Sequence, residues 1–350
     1  MPGKAFEHQK ERPLVDKPTS GYMRHGSKPM MKISKRLFAA CWILLALASC
    51  VEPAADKDSR ISKASTTSVL PERSLSSPFE NYWYSNQAEI TSYHLEQARY
   101  GQRHTGRAVL IFVTEPFDRR QQVKENDPEP NDPNVLKCNS YKRFFTGMYP
   151  YTMMNSTFMP VKLGGHALKI TQTVQEWCGQ AFMQLNNRGS YRIRQFSYFQ
   201  SEGDTTYEID EQPWLEDELW NLIRLAPGEL PTGQFTVLPS LGYLRLRHQE
   251  AVPYAAQAEV VRREDSLHTY KLLYPALQRS LRIHFQPDFP HTIEGWEETY
   301  YSGFGARDKK LTTRATRHQR IRTDYWNKNG LQDSLWRDSL GLEAPGIEQP

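Results

Sequence analysis

Short runs in which apolar and polar side chains alternate, broken by turn residues, narrow most sharply what this chain can fold into. Leu168, Ile170 and Val174 are interleaved with Lys169, Thr171 and Thr173. Tyr254, Ala256, Ala258 and Val260 share one face of an extended run, and His268, Tyr270, Leu272 and Tyr274 share another. Leu281, Ile283 and Phe285 stand opposite Arg282 and His284, and Leu244 and Leu246 stand opposite Arg245 and Arg247. Successive side chains of a strand point to opposite faces, so each run predicts a half-buried strand. Segments 182–185 and 191–199 flank the Asn186-Asn-Arg-Gly189 turn, which predicts a hairpin. Residues 88–100 form a polar-aromatic strand, followed by a Gly101…Gly106 connection. Residues 107–113 are apolar on both faces, as a central strand covered on both sides requires. The links are short, so the strands should form antiparallel meanders. The expected fold class is mostly β, a curved antiparallel sheet, open barrel or sandwich of about a dozen strands.

Two helices interrupt this pattern. Pro213 suits a first helical turn, and Glu216, Asp217 and Glu218 favour its positive end. Leu215, Leu219, Leu222 and Ile223 make one apolar stripe, and Pro227-Gly228 ends the helix. This helix, 213–226, stands between two β halves. A short closing helix is expected over 331–340. The loop Asp127-Pro-Glu-Pro-Asn-Asp-Pro133 is written in turn chemistry.

Residues 31–50, MKISKRLFAACWILLALASC, open with Lys32, Lys35 and Arg36 and continue into an apolar run ending at Ser49. That run is shorter than the ~20 residues a spanning helix needs. A basic start, a short apolar core and small residues before a cut describe a secretory signal peptide. Cysteine directly after Leu47-Ala-Ser49 resembles the lipobox of bacterial lipoproteins, in which the cysteine carries the acyl chain, so Cys50 is the expected lipidation (palmitate) site. Translation is expected to start at Met30 or Met31, with residues 1–29 an over-extended gene reading or disordered. The serine-rich stretch 50–78 reads as a flexible tether and 79–345 as the folded part. Val51, in place of an aspartate, favours the outer membrane over the inner, with the domain facing the periplasm.

The net charge of the whole chain is +4, but residues 1–49 hold nine Lys/Arg and three Asp/Glu. From Cys50 onward 35 basic residues face 37 acidic ones, a net of −2. The basic balance belongs to the signal, so it offers no argument for nucleic acid. The expected partners are the membrane, through the anchor, and a lipid, glycolipid or envelope protein. With Cys41 lost in the signal, Cys138 and Cys178 remain and are open to a disulfide in an oxidising compartment. Its loop would contribute roughly 3–4 kcal/mol. Neither has metal-ligand spacing, and no metal or cofactor is expected.

The sequence holds no GxSxG elbow, HExxH, Walker loop or GxGxxG. The most catalytic-looking stretch gathers Asp288, His291, Glu294, Glu297 and Glu298 beside Trp296, groups able to do general acid–base work or to line a solvated turn. Arg314, Arg317, Arg320 and Arg322 form a cationic run. Thr312, Arg314, Thr316, His318, Arg320 and Arg322 would share one strand face, either for an anionic partner or as a charged edge.

The segments Tyr-Trp-Tyr-Ser (82–85), Ala-Glu-Ile-Thr-Ser-Tyr-His-Leu-Glu-Gln-Ala-Arg-Tyr-Gly (88–101), Ala-Val-Leu-Ile-Phe-Val-Thr-Glu (108–115), Val-Gln-Glu-Trp-Cys-Gly (174–179), Gln-Leu-Asn-Asn-Arg (184–188) and Tyr-Leu-Arg-Leu-Arg-His (243–248) together resemble a family of bacterial lipoproteins that carries the label "septum formation inhibitor Maf". The resemblance spans nearly all of 79–340. It implies an envelope location and a coherent fold, and it supplies no catalytic residues. The nucleotide pyrophosphatases that share the label open with an arginine-bearing phosphate loop. Ser74-Leu-Ser-Ser-Pro-Phe79 lacks those arginines. The expected function is therefore a lipid-anchored envelope protein with a non-enzymatic binding, carrier or assembly role on a concave sheet face. The alternative is an envelope hydrolase using 288–298. Nucleotide hydrolysis ranks last.

Overall fold

The computed structural model describes residues 72–129, 132–262 and 267–342. All lie in the second of two compact units, which begins at Ala64. The signal segment, Cys50 and most of the tether fall outside the described residues. The fold starts earlier than Phe79. Buried Arg73 donates to the Pro160 carbonyl at 2.9 Å and pairs with Glu229 at 3.0 Å. Helix α1 (Ser77–Trp83) follows, capped by Ser76.

One sheet runs through the described residues. Its strands are β1 (Ala88–Arg99), β2 (Gln102–Asp118), β3 (Val123–Lys124), β4 (Asn134–Thr146), β5 (Tyr149–Pro160), β6 (Lys169–Glu176), β7 (Gly179–Asn187), β8 (Tyr191–Ser197) and β9 (Asp204–Ile209). They continue as β10 (Trp214–Leu215), β11 (Gly233–Leu238), β12 (Tyr254–Val261), β13 (His268–Tyr274), β14 (Arg279–Phe285), β15 (Ile293–Tyr301) and β16 (Lys310–Thr323). Each strand from β4 to β9 and from β12 to β16 pairs with its sequence neighbour, while β1 is flanked by β2 and β16. The first strand therefore pairs with the last, and the sheet opens between β9 and β10, which are consecutive in sequence. All pairings are antiparallel except the two-residue contact of β10 with β11. The fold is mostly β, one curved and unclosed antiparallel sheet.

Turn chemistry sets the hairpins. Tyr100 and Gly101 both have positive φ, 53° and 73°, which makes the β1–β2 link a two-residue turn of the kind that matches strand twist. A Cβ on Gly101 would collide with the Arg307 carbonyl. Gly106 lies within β2, not in a connection, against the Arg143 backbone.

Two further helices, α2 (Leu219–Leu225) and α3 (Leu241–Arg247), pack their apolar residues into the same core as the inner sheet face. Residues 241–247 are thus helical, not the strand that the Leu-Arg-Leu-Arg alternation predicts. Ser240 caps the start by accepting from the Gly242 N–H at 3.2 Å, and His248 ends it in the left-handed region at φ 53°. The expected 213–226 helix begins later. Trp214 and Leu215 pair as β10, Glu216–Glu218 forms a 3₁₀ turn, and only then does α2 start. The C-terminal α4 (Leu335–Ser339) leads Leu340 onto the outer face, over Ala88, Ile90, Val109 and Val113. This covers β2 on both sides, as its doubly apolar run requires.

Candidate functional site

The inner face of the sheet is not uniformly apolar. Beneath α2 and α3 it encloses a cavity of about 70 Å³ lined by Gln97, Lys142, Asn155, Gln172, Asp217, Arg279 and Glu298 among others. Small-molecule pockets commonly measure ~300–1,000 Å³. This space suits a small polar group, and α2 and α3 occupy the room that a longer guest would need.

Its wall is built on a buried ionic cluster. Arg279, at the start of β14, donates to both oxygens of Glu216 at 2.5 and 2.6 Å and to Glu298 at 2.8 Å. Tyr274 donates to Glu216 at 2.6 Å. The Arg279 guanidinium lies 4.2 Å from the Tyr243 ring centroid. Desolvation would lower its pKa, but the two carboxylates outweigh that and hold it well above the ordinary arginine value. Asp217 is buried beside Glu216. Desolvation first, and the Glu216 charge after it, push its carboxyl up to about 6. It accepts from the Leu241 N–H at 3.0 Å, so it also anchors the start of α3. Glu218 accepts from His166 at 2.7 Å and from the Ala167 and Leu215 N–H groups. Burial lowers the His166 pKa and Glu218 more than reverses it, leaving it raised. The three carboxylates read from sequence as charges at a helix start are interior groups.

One amide oxygen lacks a protein partner here. Gln97, 1% exposed, donates to Tyr300 and Thr313, but its Oε1 accepts from nothing. Asn155 Nδ2 is buried close by, and this amide acts on the Asp217 carboxyl. Buried polar atoms are almost always satisfied, so Gln97 Oε1 marks the part of the cavity able to hold a guest or ordered water.

A second cluster lies on the inner side near α1. Arg224 of α2 grips Glu89 with two bonds of 2.6 and 2.7 Å, and Tyr82 donates to the same carboxylate at 2.5 Å. Desolvation raises the Glu89 pKa, but Arg224 and Tyr82 prevail and hold it below the usual carboxylate range. The Arg224 guanidinium sits 4.7 Å from the Phe112 ring centroid and 5.0 Å from that of Trp83.

The sequence candidates do not gather into one site. Glu294 sits at an irregularity in the β14–β15 pairing and takes Arg317 and Arg320 as partners. Desolvation raises its pKa, and the two arginines overcome this and leave it lowered. Glu297 faces outward between Arg282 at 3.4 Å and Arg314 at 3.1 Å. His291 is half-buried at φ 54°, its pKa lowered by burial, with its ring against Phe289. The Asp288 carbonyl accepts the His291 N–H. Only Glu298 turns inward, to Arg279.

The arginine run does not share one face either. A bulge between Ser92 and Tyr93 leaves His318 unpaired and switches the faces of β16. Before it, Arg314 points outward to Glu297. Beyond it, Arg320 bonds Glu294 and Thr91, and Arg322 bonds the Tyr82 carbonyl at 2.7 Å. Each of these cations is matched within the fold, so they do not form a free anionic-partner face. Cys138 and Cys178 are separate free thiols, one buried and one exposed. Cys138 pairs across to Thr157 and on to Ile170, whereas Cys178 lies beyond the far end of β6. Six strand residues separate those levels, ~20 Å, against the ~7 Å limit for a bridge.

No family model matches this chain, and no curated protein matches it. Among solved structures it is similar to a β-barrel-like protein of the domain of unknown function DUF1849 from Brucella abortus, at 9% identity and a TM-score of 0.35, over 68% of this chain and 98% of that one.

Proposed function

We propose that this is a lipid-anchored protein of the cell envelope, attached through Cys50 to the outer membrane and facing the periplasm, that works by binding a guest on its inner sheet face. The observation that carries the binding reading is the unsatisfied Gln97 Oε1 in a cavity whose lining mixes buried ion pairs with neutral and apolar side chains. The volume fits a small polar guest or the head of a lipid or glycolipid. An acyl chain would require α2 and α3 to move. Of the charged groups favouring hydrolysis, Glu294 and Glu297 are each held by arginines of their own and do not meet His291, which favours binding over catalysis. The signal at 31–50 supports the location.

The test is extraction of the acylated protein from membranes, followed by mass spectrometry of bound small molecules. A defined compound should co-purify, and Gln97→Leu combined with Asn155→Leu should lose it. Repeated recovery with nothing bound, or a guest unaffected by both changes, would refute the reading. Clickable palmitate should label the wild type and not Cys50→Ser.

A further inference from the structure

Chain direction places the β1–β2, β4–β5, β6–β7, β8–β9 and β15–β16 connections at one end of the sheet. The tips there carry large apolar side chains where turns ordinarily carry Gly, Asn, Asp or Ser. Met148 stands in the two-residue β4–β5 link and is 81% exposed. Trp177 stands in the two-residue β6–β7 link and Tyr198 begins the β8–β9 connection, each 67% exposed. Phe145 and Phe304 are also exposed.

These tips form one surface. Ring contacts of 6.2 to 6.4 Å run from Trp177 through Tyr149, Tyr151 and Tyr100 to Phe304. From Phe304 they continue through His248 and Phe199 to Tyr198, at 5.0 to 5.7 Å. The inner rings are packed on Arg99, whose guanidinium lies 4.3 Å from the Tyr100 ring centroid. The rim is thus a fixed aromatic band with exposed members, set on a rigid base.

Its outward charge is basic. Arg143, Arg307, Lys309 and Lys310 are exposed around it. Arg143 lies 5.8 Å from the Phe145 ring centroid and Lys310 5.9 Å from that of Tyr301. Of the acids at this end, Glu176 accepts from the Cys178 N–H, Glu202 pairs with Arg245 and Asp308 accepts from the Gly303 N–H, and Asp204, Glu250 and Asp308 are exposed against the four exposed basic residues. Tryptophan and tyrosine settle at the headgroup level of bilayers, and neighbouring Lys/Arg add attraction to anionic lipid.

We propose that this rim docks on the surface of an anionic lipid bilayer, with Met148 and Trp177 entering the headgroup layer. The site is separate from the inner-face cavity, and its test reads no guest. The chain enters the fold at the opposite end, where α1 packs beside Phe112 and Phe289. We take the docked surface to be a second bilayer, since the rim and the start of β1 lie at opposite ends of the sheet.

The experiment takes the full chain, pre-adsorbed on phosphatidylcholine vesicles so that its N-terminal segment is satisfied. A second population of vesicles containing brominated phosphatidylglycerol is then added. The Trp177 fluorescence, taken as wild type minus Trp177→Phe, should be quenched. Recruitment of the second vesicles should fall more than about tenfold in Met148→Ser/Trp177→Ser, two exposed positions whose loss spares the fold. It should fall with added salt as charge is screened. Unquenched Trp177, or undiminished recruitment by the double variant, would overturn the proposal. So would a photo-crosslinker at 177 that captures one protein in cells and no lipid.

Discussion

Glu297 and Glu298 are neighbours in sequence and occupy opposite environments. Glu298 turns inward onto Arg279, which is 1% exposed, within a cluster that also holds Glu216 and Tyr274. Glu297 turns outward between Arg282 and Arg314, both about half exposed. Water screens the outer pairs, so their formation changes stability little. The inner groups have lost hydration, so each depends on its partner. The same residue types thus decorate one face and hold the other together.

The sharpest way to break this comparison is Arg279→Met. It leaves Glu216 and Glu298 buried without their cation, at an expected cost of about 3–5 kcal/mol. Since domains are stable by only ~5–15 kcal/mol, urea unfolding should show a variant near its folding limit. A loss below ~1 kcal/mol would show the cluster to be hydrated and the contrast false. Adding Glu216→Gln should recover part of the loss.

Next in size is the titration of Asp217. Its carboxyl is pushed up to about 6 in the fold, against 3.8 when unperturbed. The folded state therefore holds this proton more tightly than the unfolded state. Its contribution to stability is greatest below the unfolded value and declines as pH rises from about 4 through 6. The span corresponds to about 3 kcal/mol at most. Asp217→Asn should flatten that part of the stability–pH curve and raise stability at pH 7 relative to wild type. Equal slopes for the two proteins would place Asp217 in contact with water.

The smallest effect belongs to the outer ladder. Arg314→Ala should change stability by ~0–1 kcal/mol, and salt should erase the difference. A loss as large as that of Arg279→Met would erase the distinction between the faces.

Much of the fold was legible beforehand. The runs at 268–274 and 281–285 became β13 and β14 with their alternation intact, and Ile170 and Val174 share the buried face of β6, because one buried face imposes period two. Leu168 falls just before β6 and packs instead with Phe117 and Val135. The α3 segment was not legible. Leu241, Tyr243, Leu244, Arg245 and Leu246 are all buried, so the helix has no polar side to reveal its period. The candidate site was hidden for a different reason. Glu216 meets Arg279 across 63 positions, Arg224 meets Glu89 across 135, and no local motif encodes such a meeting. The three acids at 216–218 looked like solvent-facing helix-start charges for the same reason. Cys138 and Cys178 counted as a pair only while their places on separate levels of the sheet were unknown.

By itself the sequence determined that strands form, roughly where they end and that most pair with their neighbours, since alternation and short turns act over a few residues. The tertiary structure decided that β1 meets β16, that α2 and α3 fill the inner face, and which of two adjacent charges turns inward. Period two defines a pair of faces without saying which one is buried. A one-residue irregularity, as at Ser92/Tyr93 and at His284/Phe285, exchanges them partway along a strand.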